Sequence, residues 1–368
     1  GQQLEQTLAG VSFQRTPLID FLTTVSQLST IPIALDADAL ISRGLAVDTP
    51  VSAASQKQIS VQDLCKQALT PLGLTVVPHD RYLVVTTRTE ASGSRHARYA
   101  VDDLIRNGNA TTKELAIGIR HLIAPDSWLG TGGEGKIDLS RDALEVDQTD
   151  VVHDQIVTLC EKLRVARGLP LRTRYDARQP ALAGFNPKRY ETTSRTQQAK
   201  QLLSRKVTAG VGRPAPLSVV TNYLQQQTNG IILIDVAALA EADLSALSET
   251  TLSVKDQPLD QALTQLTKPL GLTWRVLDAR TIEITTPEAA AARPDCELYS
   301  VRDQQKNAET SLAFEQRLRQ QLMAATKLTE SELRTHYDSA SQVLVVSAPA
   351  ATQRLIEAEL TRSRAGVK

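Results

Sequence analysis

The sequence predicts an α+β protein made of two tandem copies of a pair of small α/β sandwich domains, in the order A-B-A-B. The first observation is a long repeat, in which the segment LTPLGLTVVPHDRYLVVTT returns as LTKPLGLTWRVLDARTIEITT. The offset is 199 between Asp36 and Asp235 and 200 between Tyr99 and Tyr299. Solenoid repeats have periods of about 20–50 residues, so this spacing indicates duplication of a multi-domain module. The second observation is that helix-like and strand-like patterns alternate within each copy.

The repeat and the polar breaks within it divide the 368 residues into four domains and one linker. A length of about 100–200 residues per domain gives two to four domains, which agrees with this division. We expect domain A1 at 1–90, domain B1 at 95–175, a basic linker at 176–197, domain A2 at 198–288 and domain B2 at 293–368.

Domain A1 shows the order strand, helix, strand, helix and hairpin, and domain A2 repeats it. Leu18 begins a stripe of apolar residues at helical spacing, which predicts a helix with one buried face. Ser60 and Asp63 form a capping box, which predicts the start of the second helix. The other predicted elements are a strand at 31–35 and hairpin strands at 74–77 and 82–86.

Domain B1 shows the order strand, helix, two strands and helix. Its closing helix carries one apolar stripe, formed by Val152, Ile156, Leu159, Cys160 and Leu163. The predicted elements are strands at 99–101, 136–139 and 144–146 and helices at 113–123 and 150–163. Domain B2 repeats this pattern from Tyr299 to about Leu360, with a different loop in the middle.

Composition excludes several classes of function. The chain has 41 acidic and 41 basic residues, so its formal net charge is zero, and general attraction to nucleic acid is not expected. No stretch of about 18 apolar residues predicts a membrane span. The chain begins with Gly and its single Met is Met323, so we expect a processed or truncated product, in which any signal peptide or membrane anchor is not in view. Three scattered cysteines predict neither a disulfide framework nor a metal site.

Residues 172–206 form the one local charge asymmetry, with nine Lys or Arg residues against two acids. One interpretation is a solvated linker that ends in a helix at 198–205. The other is a contact strip for an acidic partner, a lipid headgroup or a cell-wall polyanion. The candidate contact residues are Arg172, Arg174, Arg178, Lys188 and Arg189 of this strip, together with Trp128 of domain B1.

Several segments carry a resemblance to envelope proteins. The IPIALD strand, the ISVQDLCKQALTPLGLTV unit and the YLVVTT strand of domain A1 resemble the short N-terminal domain shared by secretins and TonB-dependent transducers. The segment from RYAVDDLI to HDQIVTLCEKLR is similar to the small α/β domain that follows it in secretin-like proteins. The resemblance implies a periplasmic or envelope location, a non-catalytic role in assembly or recognition, and sometimes ring formation. The duplicated pair of domains departs from that family.

The glycine-rich segment GTGGEGK at 130–136 allows three interpretations. A phosphate-binding P-loop needs a Ser or Thr after the lysine and a following helix, but Ile137 stands there and a strand is predicted. A KH-type Gly-x-x-Gly loop lies between two helices and binds a nucleic-acid backbone, whereas here Asp126 and Glu134 flank the loop. A structural connection with Trp128 packed over the core is favoured, and we predict no bound nucleotide or other cofactor.

The remaining polar residues form no catalytic pattern. The five histidines show no metal-ligand spacing, and no HExxH or GxSxG motif is present. Asp36 and Asp103 recur as Asp235 and Asp303, which favours structural roles in turns. We therefore predict a non-enzymatic periplasmic or envelope scaffold that acts through protein contacts or self-association. Two alternatives stay open: a module that recognises a peptide or cell-wall ligand at a sheet edge, and a cell-wall hydrolase.

Overall fold

The computed structural model of the protein describes residues 2–42, 44–87, 94–106, 111–172, 190–305, 309–329 and 332–366. The chain is α+β and divides into two compact units. Unit 1 contains both A domains, and unit 2 contains both B domains. Like domains therefore pack together although they lie far apart in sequence. None of the helices in the described ranges is long and apolar enough to cross a membrane.

Within its described residues, domain A1 contains four α-helices, of which the two longest cover a three-stranded sheet. Its elements are α1 (Gln2–Glu5), β1 (Thr7–Leu8), β2 (Val11–Pro17), α2 (Leu18–Ser29), β3 (Ile33–Leu35), α3 (Ala37–Ser42), β4 (Pro50–Ser55), β5 (Ile59–Ser60), α4 (Val61–Leu69), β6 (Leu74–Pro78) and β7 (Leu83–Thr87). The main sheet has the order β3-β7-β6, with β3 parallel to β7, and β1-β5 and β2-β4 form two-stranded ribbons. The hydroxyl of Ser60 accepts a hydrogen bond from the Asp63 amide, which confirms the predicted cap.

Domain B1 has one antiparallel sheet with helices on one face. Its elements are β8 (Arg95–Ala100), α5 (Asp102–Arg106), α6 (Thr112–Leu122), β9 (Lys136–Leu139), β10 (Ala143–Gln148) and α7 (Asp150–Ala166). The strand order is β8-β10-β9. Thr111 and Glu114 form a reciprocal capping box at α6. The apolar stripe of α7 faces the core, as its sequence pattern predicted.

Domain A2 repeats domain A1. The short helices α8 (Arg195–Gln198) and α9 (Lys200–Leu203) precede β11 (Lys206–Pro216), α10 (Leu217–Thr228), β12 (Ile231–Ile234), α11 (Val236–Glu241), β13 (Glu249–Pro258), α12 (Leu259–Thr267), β14 (Thr273–Val276) and β15 (Thr281–Thr285). The main sheet is β12-β15-β14, with β12 parallel to β15. The ribbon β11-β13 corresponds to β2-β4 of domain A1.

Domain B2 repeats domain B1. After α13 (Pro287–Ala292) come β16 (Asp295–Ser300), α14 (Ser311–Thr326), β17 (Arg334–Asp338), β18 (Val343–Ala348) and α15 (Ala350–Gly366). The antiparallel order β16-β18-β17 matches β8-β10-β9. Both domains place two long helices on the same face of the sheet.

Sequence patterns missed one short helix and the ribbon strands, which include β13 with ten residues. Helix α3 has six residues, too few for a helical period to be visible. Strand β4 has the sequence PVSAAS, whose buried positions are Val51 and Ala53, so its alternation is weakly apolar. The ribbon that contains β4 was therefore not predicted.

Candidate interaction surfaces

The two A domains share a buried contact that contains charged side chains. Arg275 on β14 is only 1% exposed. Its Nε donates to Glu283 on β15 at 2.6 Å, and its two terminal nitrogens donate to the Asp38 carboxylate on α3 at 2.8 and 3.2 Å. Leu233 and Leu277 of domain A2 join the apolar core cluster of domain A1. The two copies are therefore packed as one core.

Two exposed ion pairs show that the A contact is reciprocal. Arg81 of domain A1 lies 3.2 Å from Asp243, and Arg280 of domain A2 lies 3.5 Å from Asp48. The two arginines occupy the same repeat position, in the turn between the last two strands of the sheet. Each reaches an acid that follows the short helix of the other copy. The A pair is therefore related by an approximate two-fold arrangement, as in an isologous dimer.

The buried charges of the A contact occur on one side only. The strand pairing places Ala237, Val77 and Val84 at the positions equivalent to Asp38, Arg275 and Glu283. Burial raises the pKa of Glu283 to about 7, although the Arg275 guanidinium opposes this rise. One half of the contact is thus ionic and the equivalent half is apolar.

The two B domains also share a core, but through different surfaces. Helix α7 of domain B1 packs on the sheet of domain B2, where Lys162 Nζ donates to Glu297 at 3.2 Å. Arg167 Nε donates to Asp338 at 3.0 Å. Val343 and Val345 on β18 belong to the apolar cluster of domain B1. The helices of copy one therefore cover the sheet face of copy two.

The B contact has no reciprocal half. Domain B1 carries Arg98, Glu145 and Asp138 at the positions where domain B2 has Leu298, Val345 and His336. These three B1 side chains lie on the open face of the sheet. The B contact is therefore heterologous, with a helix face on one side and a sheet face on the other.

Cross-strand ion pairs cover the open sheet face of domain B1. The His96 ring nitrogens lie 3.0 Å from Asp147 and 3.1 Å from Glu145. The hydrogen bond to Asp147 raises the pKa of His96, and the one to Glu145 adds to this effect. Arg98 lies 3.6 Å from Glu145. The face is polar, solvated and internally neutralised.

The repeated aspartates are structural caps. Asp36 accepts the amide three residues ahead at 3.0 Å and the Thr86 hydroxyl at 2.9 Å. Asp235 accepts the equivalent amide at 3.1 Å and the Thr285 hydroxyl at 2.8 Å. Each carboxylate ties the first turn of a short helix to the neighbouring strand.

The repeated tyrosines are linked to the closing helix of their domain by buried hydrogen bonds. The Tyr99 hydroxyl lies 2.5 Å from His153, whose other ring nitrogen lies 2.9 Å from the carbonyl of the first residue of β8. In domain B2 the Tyr299 hydroxyl donates to Gln353 at 2.8 Å, and the Gln353 amide donates to the carbonyl of the first residue of β16 at 2.7 Å. Glutamine replaces histidine with the same connections, so this histidine serves packing.

Arg172 differs from the other candidate contact residues because it is tied to domain B1. Its guanidinium lies 2.8 Å from Asp102 and 3.4 Å from Asp103. Its backbone amide donates to Glu161 at 3.1 Å. The charge of Arg172 is therefore neutralised locally, and its role as a contact residue stays a prediction.

Asp103 also holds a buried arginine. Arg164 donates to Asp103 at 2.7 and 2.9 Å and to Glu161 at 2.9 Å. Burial alone would raise the pKa of Asp103, but the hydrogen bonds and charges of Arg164 and Arg172 outweigh it and lower that pKa. The sequence predicted a structural role for this aspartate, but its partners came from the tertiary fold.

Trp128 is buried within domain B1. Its indole Nε1 donates to the Ile123 carbonyl at 2.8 Å, and the side chain is 2% exposed. The predicted packing over the core is confirmed. The ring offers almost no exposed surface to a partner, and the second prediction, that Trp128 is a contact residue, stays a prediction.

The glycine-rich loop that follows Trp128 uses its amides internally. The Gly133 and Gly135 amides donate to the carbonyls of Trp128 and Ser127 at 3.2 and 2.9 Å. A Cβ on Gly133 would lie 2.1 Å from the Ser127 backbone, so glycine is required there. Amides that already have partners do not form a phosphate-binding nest.

The other four candidate contact residues lie outside the described residues. They are Arg174, Arg178, Lys188 and Arg189. The segment that follows them reaches domain B2, where the Ser194 hydroxyl donates to Glu357 at 2.8 Å and the Arg195 amide donates to Glu297 at 3.0 Å.

Side chains occupy individual backbone groups on the edges of three strands. The Gln227 amide exchanges two hydrogen bonds of 3.0 Å with the Thr208 backbone on β11. Gln225 accepts from the β12 backbone at 2.6 Å. Arg120 donates to the Ile137 carbonyl on β9 at 2.8 Å. These side chains occupy backbone groups that an added strand would need.

The structure places no metal or reactive thiol centre in the part of the chain that it describes. No group of three or more His, Cys, Asp or Glu residues there could hold a metal ion. Burial raises the pKa of Cys65, Cys160 and Cys296 to about 12 in each case, so these thiols are inert.

Comparisons with solved structures find N-terminal domains of secretins. The GspC-GspD complex from the type II secretion system of enterotoxigenic Escherichia coli is 17% identical, with 43% of this chain and 98% of that chain covered and a TM-score of 0.18. The N-terminal domain of the secretin XcpQ from Pseudomonas aeruginosa is 9% identical, with 96% and 97% covered and a TM-score of 0.17. Similarity at these TM-scores carries no argument about this chain. No model of a known protein family matches it, and no curated protein matches it either.

Proposed function

We propose that this protein is a non-catalytic scaffold or assembly module of the cell envelope, which acts through contacts between small α/β domains. The observation that carries the proposal is that both domain types pack against their own second copy. Each contact buries apolar surface together with charged pairs such as Arg275–Glu283 and Lys162–Glu297. These domains therefore present faces suited to other folded domains.

The polar residues support a structural interpretation. The repeated Asp36 and Asp235 cap helices, and the relay from Tyr99 through His153 is reproduced in the second copy with glutamine. A catalytic acid or base would need a proton-transfer group, which glutamine does not provide. The envelope location rests on the sequence resemblance to secretin-like domains.

The structure also favours domain faces over strand edges as contact surfaces. Side chains close the edges of β9, β11 and β12 at one or more backbone groups. A peptide that adds as a strand requires a run of free backbone groups. Recognition of a peptide at a sheet edge therefore ranks below domain-to-domain contact.

A pull-down from envelope extract tests the proposal. We expect the folded chain to retain a protein partner at low salt and to lose part of it at high salt, because the linker bases steer acidic partners over a Debye length of about 10 Å at 0.1 M. Neutralising Arg174, Arg178, Lys188 and Arg189 together should weaken retention without lowering the melting temperature.

A matched control removes the same charge elsewhere. Lys57, Lys66, Lys113 and Lys255 are exposed, and their joint replacement by glutamine changes the net charge equally. Equal loss of partner in both variants would assign the effect to net charge and remove the linker from the proposal. Turnover of a cell-wall or ester substrate by the purified chain would overturn the non-catalytic assignment.

A further inference from the structure

Basic side chains gather where helix α6 of domain B1 meets strand β17 of domain B2. A Cβ on Gly118 of α6 would lie 3.5 Å from the His336 ring, so this ring packs against the helix backbone. His121 comes three residues after Gly118 and therefore shares its helix face. Arg334 comes two residues before His336 and projects from the same face of β17. We call His121, Arg334 and His336 the α6–β17 basic cluster.

No carboxylate in the described part of the chain forms an ion pair with the α6–β17 basic cluster. The cross-strand neighbours of Arg334 and His336 on β18 are Ser347 and Val345, which carry no charge. All three basic side chains are at least partly accessible to solvent. A dissolved anion can therefore reach them.

The acids on the neighbouring elements are engaged elsewhere. Asp338 of β17 accepts a hydrogen bond from Arg167 at 3.0 Å. Glu315 of α14 accepts one from the Thr335 hydroxyl at 3.4 Å, on the opposite face of β17. Glu114 of α6 is held in the capping box at the start of its own helix. These carboxylates do not neutralise the basic cluster.

The charges that act on His121 are those of cations. Burial lowers the pKa of His121 from 6.5, and the charges of Arg319, Arg334 and His336 lower it further. Arg319 belongs to α14, so bases from two elements of domain B2 surround this ring. A bound anion would stabilise the charged form of each of these bases, because opposite charges favour ionisation.

Domain B1 shows that the fold does not require this excess of bases. Strand pairing places Lys136 of β9 at the position equivalent to Arg334. Asp138 takes the position of His336. Lys136 has Asp147 as its cross-strand neighbour, and Asp138 adds a negative charge to the same face. The two domains share a fold, yet only the B2 face carries bases without acids across the strand pair.

The chemistry of the cluster fits a phosphate-type oxyanion. A guanidinium donates two parallel hydrogen bonds to such a group, and an imidazolium donates through its ring nitrogens. Residues on the same face of a strand lie about 6.6 Å apart, so an anion that accepts at about 2.8 Å on either side can bridge Arg334 and His336. A tetrahedral anion also directs an oxygen towards α6, whereas a carboxylate has two oxygens in one plane.

We propose that the α6–β17 basic cluster binds a phosphate-type oxyanion, either free phosphate or the headgroup of a phospholipid. His121 belongs to domain B1 and the other two residues belong to domain B2, so the bound anion would also join the two B domains. The site goes beyond the proposed function, and its failure would leave the contacts between domains as described.

Histidine signals in the nuclear magnetic resonance spectrum of the full chain test the proposal. The chain carries isotope-labelled histidine and is titrated at pH 6 with inorganic phosphate from about 0.1 to about 20 mM, at constant ionic strength. We expect the ring signals of His121 and His336 to move and to saturate, and the pKa of His121 to rise. His79 of domain A1 and His96, which lies between two carboxylates, are controls whose signals should not move.

The repeat supplies a matched pair of variants. Arg334→Gln should weaken phosphate binding by at least about tenfold, because it removes charge-assisted hydrogen bonds. Lys136→Gln removes the same charge at the equivalent position of domain B1 and should bind phosphate as the wild type does. Melting curves establish that both variants are folded.

The pH dependence separates a ligand contact from a purely structural role. His121→Gln gives α6 the residue that α14 carries at the equivalent position, Gln320. Wild-type affinity should fall relative to that of this variant as the pH rises from 6 to 8, because the His121 imidazolium loses its proton. Phosphate itself also ionises in this range, but it does so equally for both proteins.

Vesicles distinguish the two sources of the anion. Flotation of the wild type with phosphatidylglycerol vesicles, and not with phosphatidylcholine vesicles, would support a lipid headgroup if Arg334→Gln fails to float. Binding of inorganic phosphate without flotation would support free phosphate.

Ring signals of His121 and His336 that stay unchanged up to about 20 mM phosphate overturn the proposal. Equal losses of affinity in Arg334→Gln and Lys136→Gln also overturn it, because they would assign the effect to net charge. The wild-type titration decides the question by itself if either variant fails to fold.

Discussion

The A pair and the B pair join duplicated domains in two different ways. In the A pair each copy offers a similar surface: Arg81 and Arg280 occupy the same repeat position and pair with Asp243 and Asp48, which occupy different ones. In the B pair the helices of copy one cover the sheet of copy two, and the sheet of copy one stays open. A two-fold contact is complete after two domains, whereas a helix-to-sheet contact leaves one unused surface at each end.

The open ends of the B pair are polar where the closed contact is apolar. Arg98 and Glu145 replace the Leu298 and Val345 of the buried face. On the other end, Glu359 of α15 stands at the position of Leu159 of α7. Charged residues at both ends are typical of capping repeats in repeat proteins, whose polar outer faces disfavour the addition of further units. The two B domains share a fold, yet the equivalent face is charged where it is exposed and apolar where it is buried between them.

Exchanging residues between the B copies should have the largest effect. Leu298→Arg places the residue of domain B1 into the closed contact and buries a charge without a partner. We expect a loss of about 3–5 kcal/mol in the free energy of unfolding. The reverse exchange, Arg98→Leu, alters a solvated face and should change stability by less than about 1 kcal/mol. Urea denaturation measures both, and equal effects would contradict the difference between the two faces.

Removing the cation of the A contact should have the next largest effect. Arg275→Met leaves the Glu283 carboxylate buried without its partner, and we expect a loss of about 3 kcal/mol. The double variant Arg275→Met, Glu283→Leu makes this half apolar, like its counterpart around Val77 and Val84. This double variant should recover most of the unfolding free energy that the single variant loses. A double variant less stable than the single one would show that the ion pair, and not packing, holds the contact.

The pH dependence of stability should differ between the wild type and Glu283→Gln. Burial raises the pKa of Glu283 from 4.5 to about 7, so the folded state binds the proton more tightly. The stabilisation that comes from this tighter proton binding is fully present below about pH 4.5 and is lost as the pH rises through 7. Burial lowers the pKa of His121, which acts in the opposite direction below 6.5.

The difference in unfolding free energy between the wild type and the Glu283→Gln variant isolates the contribution of Glu283. We expect the urea midpoint of the wild type to fall relative to that of the glutamine variant as the pH rises from 4.5 to 8. Parallel curves would mean that this carboxyl is not buried as described.

The smallest expected effect concerns the loop that domain B1 has and domain B2 lacks. Because the amides of Gly133 and Gly135 already have backbone partners, we expect ATP with magnesium to leave the melting temperature unchanged. Saturable stabilisation during a titration would overturn this prediction. Domain B1 could then have a ligand site that its copy does not share.

Much of the local structure follows from the sequence. The stripe on α7 and the cap at Ser60 predicted helices that the structure contains, because apolar period and capping depend on neighbours within a few residues. The repeat offset likewise matched Asp36 with Asp235 and Tyr99 with Tyr299, whose hydrogen bonds are equivalent. The short α3 and the ribbon strand β4 were missed because a few small residues carry no clear period.

The sequence by itself determined the duplication, the fold class and the identity of the capping residues, since these depend on local pattern and on matching letters. Only the tertiary structure decided which domain packs on which. The contacts of Arg275 with Asp38 and of Lys162 with Glu297 join residues more than a hundred positions apart. The pairing of Arg172 was not visible in the sequence, because its partners Asp102 and Asp103 lie about seventy residues away. Long-range pairing depends on how whole faces fit together, and no short segment of sequence contains that information.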